Sequence, residues 1–280
     1  VVDDFSVGQA EALAHLPVEV QGGDGRRLDE WADRLRQVEG VVHLAAATGV
    51  QESIANPRHD FEVNVVGTFN LLSACREAGV RRFVFASTNA LLGRQPPPMS
   101  EGVVPAPLVP YAASKLAGEG YCLAFRESYG LQTVVLRFAN VYGPHSSHKG
   151  SVVARFIKGA QTGGPLTIYG DGQQTRDFVH VLDVARAISS GLTAAAVGGI
   201  YQIGAGQATP VLALAQIVAG LAGVSIIHAP ARPNEVPHSY ADIERARREL
   251  GFAPQVDLAS GVADTYRWFD AGGPHEWALL

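Results

Sequence analysis

Asp60 to Ser87, DFEVNVVGTFNLLSACREAGVRRFVFAS, is the stretch that decides the fold. From Asp60 to Ala78 it carries Phe61, Val65, Phe69 and Leu72 at spacings that share one helical face, and Gly79 is placed to end the helix. The apolar run Arg82–Ser87 follows as a buried strand. The same alternation extends in both directions. Strands are expected at Val18–Val20, Val41–Ala46, Arg82–Ser87 and Thr133–Asn140. A second helix is expected from about Pro110 to Tyr129, after the Pro-rich loop Pro96–Pro107 and before Gly130. Strands and helices in alternation imply an α/β chain with a doubly wound, mostly parallel sheet. Beyond Gly143 the texture changes: Gly163-Gly164-Pro165, Gly170-Asp171-Gly172 and the loop from Ala229-Pro230 to Pro237 separate shorter elements, as in a smaller C-terminal lobe. The expected division is a first domain over 1–143, with 176–206 returning to it, and a lobe made mainly of 144–175 and 207–280. No internal repeat is present.

Length and composition agree with one core plus an appended lobe: 280 residues, 47% apolar and 18% charged, enough to bury a sizeable interior. The net charge of −5 comes without a Lys/Arg block, which removes the electrostatic basis for a nucleic-acid or anionic-membrane partner. No apolar run reaches the roughly 18 residues that span a bilayer, and Val1-Val2-Asp3-Asp4 has no leader character, so a soluble, cytoplasmic protein is expected. Cys75 and Cys122 form neither a disulfide framework nor a thiolate metal site. His145 and His148 have no third ligand at metal-binding spacing, and no metal is expected. Val1-Val2-Asp3 has the form of a strand end closing on an acid, which in a dinucleotide fold is the second strand. The first strand, its glycine-rich turn and its helix, about 30 residues, are therefore expected to precede Val1.

The sharpest chemical signal is Tyr111 with Lys115 four residues on. One helical turn separates them, so phenol and ammonium share a face. With 8 Tyr in the chain and Lys115, Lys149 and Lys158 as its lysines, chance placement gives about 0.09 such pairs. A fixed cation beside a phenol favours phenolate, and the spacing predicts a Tyr111 pKa lowered toward that of a general base. Thr88 ends the strand Phe83-Val84-Phe85-Ala86-Ser87, at the carboxyl edge where open α/β sheets bind ligands, and is placed to meet a substrate hydroxyl. Gly204-Ala205-Gly206, between the strand Ile200–Ile203 and the helix Val211–Leu221, imitates a cofactor loop but lacks the third glycine.

Several segments in fixed order carry a resemblance. They are His43-Leu44-Ala45-Ala46, Asn64-Val65-Val66-Gly67-Thr68, Phe85-Ala86-Ser87-Thr88, Tyr111-Ala112-Ala113-Ser114-Lys115, Leu136-Arg137-Phe138-Ala139-Asn140-Val141-Tyr142-Gly143-Pro144 and Tyr169 through Val181. Together these resemble the extended short-chain dehydrogenase/reductase family, in its nucleotide-sugar epimerase/dehydratase branch, over essentially the whole chain. The resemblance implies a Rossmann-like sheet, here without its first strand-turn-helix, a smaller substrate lobe, and NAD as cofactor. It implies that Asp3 binds the adenosine ribose, that Asp24 meets the adenine, and that Leu44, Ala45, Ala46, Asn64 and Phe138 join Tyr111 and Lys115 around the cofactor. It makes Thr88, Tyr111 and Lys115 catalytic. It assigns Thr48, Thr88, Asn140, Val153, Thr167, Tyr169, Arg176, Arg232 and Glu235 to the substrate, with the arginines and Asn140 gripping phosphates, Tyr169 beside the base and Glu235 at the ribose. Arginine forks suit a nucleoside diphosphate.

The dehydratases of this branch carry Asp-Glu after the catalytic threonine, and its decarboxylases a Glu two positions on. Here Asn89-Ala90 follow Thr88. The implied activity is therefore NAD-dependent 4-epimerisation of a UDP-sugar, an isomerase of the UDP-glucose 4-epimerase type, through a transient 4-keto sugar. Alternatives are another nucleotide-sugar modification, such as action on a UDP-uronic acid or reduction of a keto sugar, and a non-catalytic sugar-nucleotide-binding member. Ser239, a small residue where some relatives place an aromatic one, is compatible with an N-acetyl sugar. Lys149, in the His145–Lys149 loop, is a candidate partner for a uronate. The helices at Asp60–Ala78 and Pro110–Tyr129 resemble those that pair family members into a homodimer.

Overall fold

The computed structural model describes residues 1–194, 198–232 and 236–271. Its strands are β1 (Val2–Asp3), β2 (Gln21–Gly22), β3 (Gly40–His43), β4 (Arg82–Thr88), β5 (Gln132–Phe138), β6 (Asn140–Tyr142), β7 (Leu166–Tyr169), β8 (Thr175–Arg176), β9 (Phe178–His180), β10 (Gly199–Ile203), β11 (Thr209–Pro210) and β12 (Ile226–Ala229). Its α-helices are α1 (Val50–Ala55), α2 (Pro57–Phe61), α3 (Gly67–Ala78), α4 (Pro110–Tyr129), α5 (Val152–Gln161), α6 (Val181–Thr193), α7 (Val211–Ala222), α8 (Glu244–Leu250) and α9 (Leu258–Asp270). Two units divide the chain. Unit 1 comprises Val1–Gly93, Val104–Arg137 and Ile188–Tyr201, and unit 2 comprises Arg94–Val103, Phe138–Ala187 and the chain from Gln202 onward. Within the segment 176–206, Ile188–Tyr201 belongs to unit 1 and the rest to unit 2.

Unit 1 is built on a sheet ordered β10–β5–β4–β3. β3 and β4 run parallel with Gly40 opposite Arg82 and His43 opposite Phe85. Phe83, Val84 and Phe85 are fully buried, as are Val134, Val135 and Leu136 of β5, so both strands read as continuous apolar runs, the mark of a sheet covered on two faces. Each such side chain contributes roughly 1.5–3 kcal/mol by leaving water. α4 starts and ends where the sequence says: Pro110 occupies the first turn and Gly130 takes the left-handed conformation at φ +73°, which glycine adopts at little cost. Gly118 lets this helix approach the sheet, because a Cβ there would lie 2.5 Å from Cζ of Phe85.

The segment Asp60–Ala78 departs from the single expected helix. It is α2, then a π-turn over Glu62–Val66, then α3, with Gly79 ending α3 at φ +75°. A π-turn adds a residue to one turn and slips the helical phase. The expected apolar face is divided accordingly: Val65 and Leu72 are buried, whereas Phe61 and Phe69 are 53% and 42% exposed. The inward positions after the slip are Asn64, Thr68, Leu71 and Cys75.

Three strand boundaries are corrected. Val18–Val20 is not a strand; the parallel pairing falls at Gln21–Gly22 against β1, where the Gln21 and Gly23 amides donate to Val1 O and Asp3 O at 3.0 Å each. β3 ends at His43, and Leu44–Ala46 lie beyond it. The expected strand Thr133–Asn140 divides at Ala139, whose N–H donates to Ile203 while that of Asn140 donates to Asp177. The chain changes hydrogen-bond partners there, and β6 pairs with β9.

Unit 2 holds the parallel pair β7–β12 and the antiparallel pair β8–β11. α5, α7 and α9 enclose a core that includes Phe156, Ile157, Leu166, Ile168, Leu214, Val218 and Val262. No described helix is long and apolar enough to cross a membrane.

Candidate active site

In unit 1, β4 delivers Thr88 to its carboxyl end, where Oγ1 accepts from the Ala90 amide at 3.2 Å and caps a short turn. Tyr111 enters from the first turn of α4, and its hydroxyl is hydrogen-bonded to the Thr88 side chain. Lys115, one turn further, is 3% exposed. Its ammonium donates to the carbonyl of Ala86 at 2.9 Å and lies 4.9 Å from the centre of the Phe85 ring. Burial lowers the Lys115 pKa to about 8, with Asp60 and Cys122 pulling it back up.

The spacing of Tyr111 and Lys115 predicts a lowered phenol pKa, and the structure corrects this. Burial raises the Tyr111 pKa, the hydrogen bond to Thr88 works against the rise, and the charge of Asp60 adds to it. The reason is that withdrawal from water disfavours the charged phenolate, and the nearby Asp60 carboxylate disfavours it further.

A buried polar network fixes the elements around the pair. The side-chain amide of Asn64 donates to Ala47 O at 3.0 Å, Asp60 Oδ1 at 2.9 Å and Ser114 Oγ at 3.1 Å, and its Oδ1 accepts from the Ala47 amide at 2.9 Å. Ser114 Oγ in turn donates to Tyr111 O at 3.0 Å. Asn64 thus ties the chain beyond β3 to α2 and α4, with both ends of its amide engaged within the protein rather than offered to a ligand. Thr68 donates to Asn64 O at 2.6 Å, so its oxygen accepts from His43 Nε2 at 2.9 Å, which fixes the tautomer of a ring whose pKa burial lowers to about 3.

The other expected cofactor residues are spread over the two units. Asp3 closes β1, accepts from the Phe5 amide at 2.8 Å, and has Gly8 so near that a Cβ there would lie 3.2 Å from Oδ2. Asp24 is gripped by Arg26, with Nη2 to Oδ2 at 2.6 Å, and that bond holds its carboxyl below the ordinary range. Leu44 and Ala45 are exposed and Ala46 half-buried, and Phe138, in unit 2, is half-buried. The Ala205 and Gly206 amides of the glycine-containing loop donate to Asp177, at 2.6 and 3.1 Å, and Ala241 N–H joins them at 3.1 Å. That loop serves a buried carboxylate of the protein itself.

Unit 2 contains a cleft lined by Asn140, Val152, Arg155, Phe156, Thr167, Ile168, Tyr169, Gln174, Arg176, Val211 and Arg232. The expected substrate residues Asn140, Thr167, Tyr169, Arg176 and Arg232 therefore come together in one site. The guanidinium of Arg232 stacks on the Tyr169 ring at 3.9 Å. Arg176 Nη1 donates to Thr175 O at 2.8 Å. Gly172, at φ +78°, turns the chain between Tyr169 and Gln174 where a Cβ would lie 2.9 Å from that of Leu212. Val153 is corrected: it is buried in the core, and Val152 lines the cleft. Ser151 caps α5, and Val153, Ala154, Phe156, Ile157 and Ala160 are its buried positions, so Val152 and Arg155 lie on the other phase. Arg155 escapes the sequence reading, and that helical phase is the signal that reveals it. Thr48 is an exposed residue of unit 1, Ser239 is half-buried beside Thr175, and Glu235 lies outside the described residues. The His145 ring packs at a tilt against Trp268, with ring centres 4.7 Å apart. No cluster of potential metal ligands occurs among the described residues.

A parallel α/β sheet that ends a strand on threonine against a helix bearing tyrosine and lysine one turn apart defines an enzyme of the extended short-chain dehydrogenase/reductase class. Residues 2–204 match the family model described as the NAD dependent epimerase/dehydratase family, and the chain belongs to that family. It is similar to the UDP-glucose 4-epimerase of Mycolicibacterium smegmatis, 40% identical over 238 residues that cover 82% of this chain and 76% of the relative. It is also similar to the dTDP-glucose 4,6-dehydratase of Streptomyces niveus, 34% identical over 235 residues, 82% of this chain and 70% of the relative. Among solved structures, UDP-glucose 4-epimerase of Thermus thermophilus in complex with NAD superposes with a TM-score of 0.85 at 36% identity, over 96% of this chain and 90% of that one.

NAD is the cofactor of this family, and the residues of unit 1 fit it. Asp3 presents a carboxylate that suits ribose hydroxyls. Lys115 anchors a buried ammonium on Ala86 O, and an ammonium carries further donors that suit a second ribose.

Proposed function

We propose that this chain is a UDP-sugar 4-epimerase that works through a transient 4-keto sugar. The observation that carries the reading is the placement of Tyr111 and Lys115 one turn apart on α4, with Thr88 at a strand end followed by Asn89-Ala90, a pair with no carboxylic acid to expel a hydroxyl as water. A tyrosine oxygen in contact with a threonine hydroxyl can take the proton of a sugar 4-hydroxyl while the threonine holds that hydroxyl. Lys115 supports the phenolate electrostatically. NAD, when bound, accepts a hydride from the sugar carbon and returns it. Tyr111 returns the proton, so neither cofactor nor acid is consumed.

The cations of unit 2 support a nucleoside diphosphate as the handle of the substrate. Arg176 and Arg232 supply forks for phosphate oxygens, and Asn140 and Thr167 supply smaller polar groups beside them. Tyr169 offers an aromatic face, and the similarity to the Mycolicibacterium smegmatis UDP-glucose 4-epimerase favours uracil as the base. We assign the protein to the cytoplasm, in keeping with Cys75 and Cys122, both free and buried. A homodimer is supported by the exposed aromatic face of α3 and α4: Phe69 and Tyr121 are 5.2 Å apart, and Tyr129 is half exposed.

The test is incubation with UDP-glucose and with UDP-N-acetylglucosamine, followed by separation of C4 epimers. Formation of the 4-epimer without net NADH is the expected result. Release of a 4-keto-6-deoxy sugar, a pentose, or stoichiometric NADH oxidation overturns the epimerase reading in favour of another reaction of the family. Tight UDP binding without any turnover makes the protein a non-catalytic binder.

A further inference from the structure

Tyr111, Lys115 and Glu119 follow one another at four-residue spacing on α4 and so share one face. A lysine and a glutamate four apart on a helix ordinarily pair with each other. Here they do not. Glu119 Oε1 accepts from Ser87 Oγ at 2.5 Å and from Arg137 Nε at 2.9 Å, and Oε2 accepts from Arg137 Nη2 at 2.7 Å. Ser87, Glu119 and Arg137 are all 3% exposed or less. The carboxylate is saturated by a serine on β4 and an arginine on β5, and Lys115 is left with the Ala86 carbonyl and the Phe85 ring.

Stability gives little reason for such an arrangement. A buried ion pair roughly balances its own desolvation, and an apolar replacement is often neutral or better. Arg137 also keeps Nη1 buried with no partner among the described residues.

We propose that Arg137 is a positioning residue, which holds the Glu119 carboxylate away from Lys115 and so leaves the ammonium to the cofactor ribose and to Tyr111. The proposal rests on the reading of Tyr111 as the base and Lys115 as its electrostatic partner. The other groups facing this pair are accounted for. Asp60 from α2 is hydrogen-bonded to Asn64 and already acts on both Lys115 and Tyr111 in the parent, and His43 from β3 is uncharged. Cys122 lies on α4 itself as a buried thiol, and Thr88 from β4 is neutral. Glu52 of α1 is exposed, and Arg76 of α3 stacks on Tyr129 at 4.1 Å. Glu119 is therefore the carboxylate that helix geometry would deliver to Lys115 if Arg137 released it.

The experiment compares Arg137→Gln with the double variant Arg137→Gln/Glu119→Gln. It reads the tyrosinate absorbance of Tyr111, taken as the difference from Tyr111→Phe in each background, together with NAD affinity and the pH profile of kcat/KM. In Arg137→Gln the titration midpoint and the rising limb of the profile are expected to move up by about one pH unit, with weaker NAD binding. In the double variant both should return toward the parent, because the freed carboxylate is gone. An unmoved midpoint in Arg137→Gln, or a double variant as displaced as the single one, overturns the proposal. Should Arg137→Gln not fold, Arg137→Lys keeps a charge but loses the fork; it is expected to move the midpoint the same way by less, and no movement overturns the proposal. Full turnover in Tyr111→Phe would remove the underlying reading, whereas an inactive Tyr111→Phe with an unmoved midpoint removes this inference alone.

Discussion

Lys115 of unit 1 and Arg232 of unit 2 are both cations beside aromatic rings, yet their settings are opposite. Lys115 is buried over Phe85 with its ammonium anchored on Ala86, among side chains that already satisfy one another. Arg232 lies exposed on the face of Tyr169, 3.9 Å from its centre, at the rim of a cleft it shares with Arg155 and Arg176. The first setting is preorganised: desolvation has been met by folding, and the charge is held where a reacting group will develop its own. The second is completed by its ligand, since guanidinium groups that remain hydrated can exchange water for phosphate oxygens. On the proposed function, one unit acts on a bond and the other retains a handle.

Substitutions can break that contrast. Tyr111→Phe has the largest expected effect, a loss of roughly 10²- to 10⁴-fold in kcat with UDP affinity unchanged, measured by turnover and by calorimetric titration with UDP. Loss of UDP binding would mean that the two sites do not separate in this way. Arg176→Leu should do the reverse, weakening UDP binding by about 10- to 100-fold, as expected for a charge-assisted bond worth about 1.5–3 kcal/mol, while kcat at saturation stays near the parent value. Tyr169→Leu sharpens the same side. Without its stacking partner Arg232 loses about 0.5–1 kcal/mol of support, and UDP affinity should fall by about 2- to 5-fold. A pH-dependent effect concerns the preorganised side. Burial lowers His43 from 6.5 to about 3, so its contribution to stability is present above pH 6.5 and is lost as pH falls toward 3. In His43→Gln the decline of the urea midpoint over that window should be shallower, and an equally steep decline would place the acid sensitivity elsewhere.

Sequence alone reaches α4 in full, because its limits are set locally: Pro110 starts it, Gly130 ends it, and the spacing of Tyr111 and Lys115 follows from helix geometry. The cleft residues Asn140, Thr167, Tyr169, Arg176 and Arg232 were also legible, through segments that keep their order along the chain. What escaped depends on neighbours distant in sequence. Phe61, Val65, Phe69 and Leu72 imitate an uninterrupted stripe, and the π-turn at Glu62–Val66 turns Asn64 inward, where Ala47, Asp60 and Ser114 receive it. Val152 and Val153 are alike as residues and differ only in helical phase. The direction of the Tyr111 shift depends on how deeply the phenol is withdrawn from water, which spacing along one helix cannot report.

Asp177 carries a consequence of another kind. Its single carboxylate, 1% exposed, holds the amides of Ala205, Gly206 and Ala241, so segments far apart in sequence share one lock. In hydrogen–deuterium exchange those three amides should open together as a cooperative unit rather than one by one. Burial raises the pKa of that carboxyl, so the closed state holds a proton more tightly than the open one, and mild acid should slow rather than hasten the opening of all three.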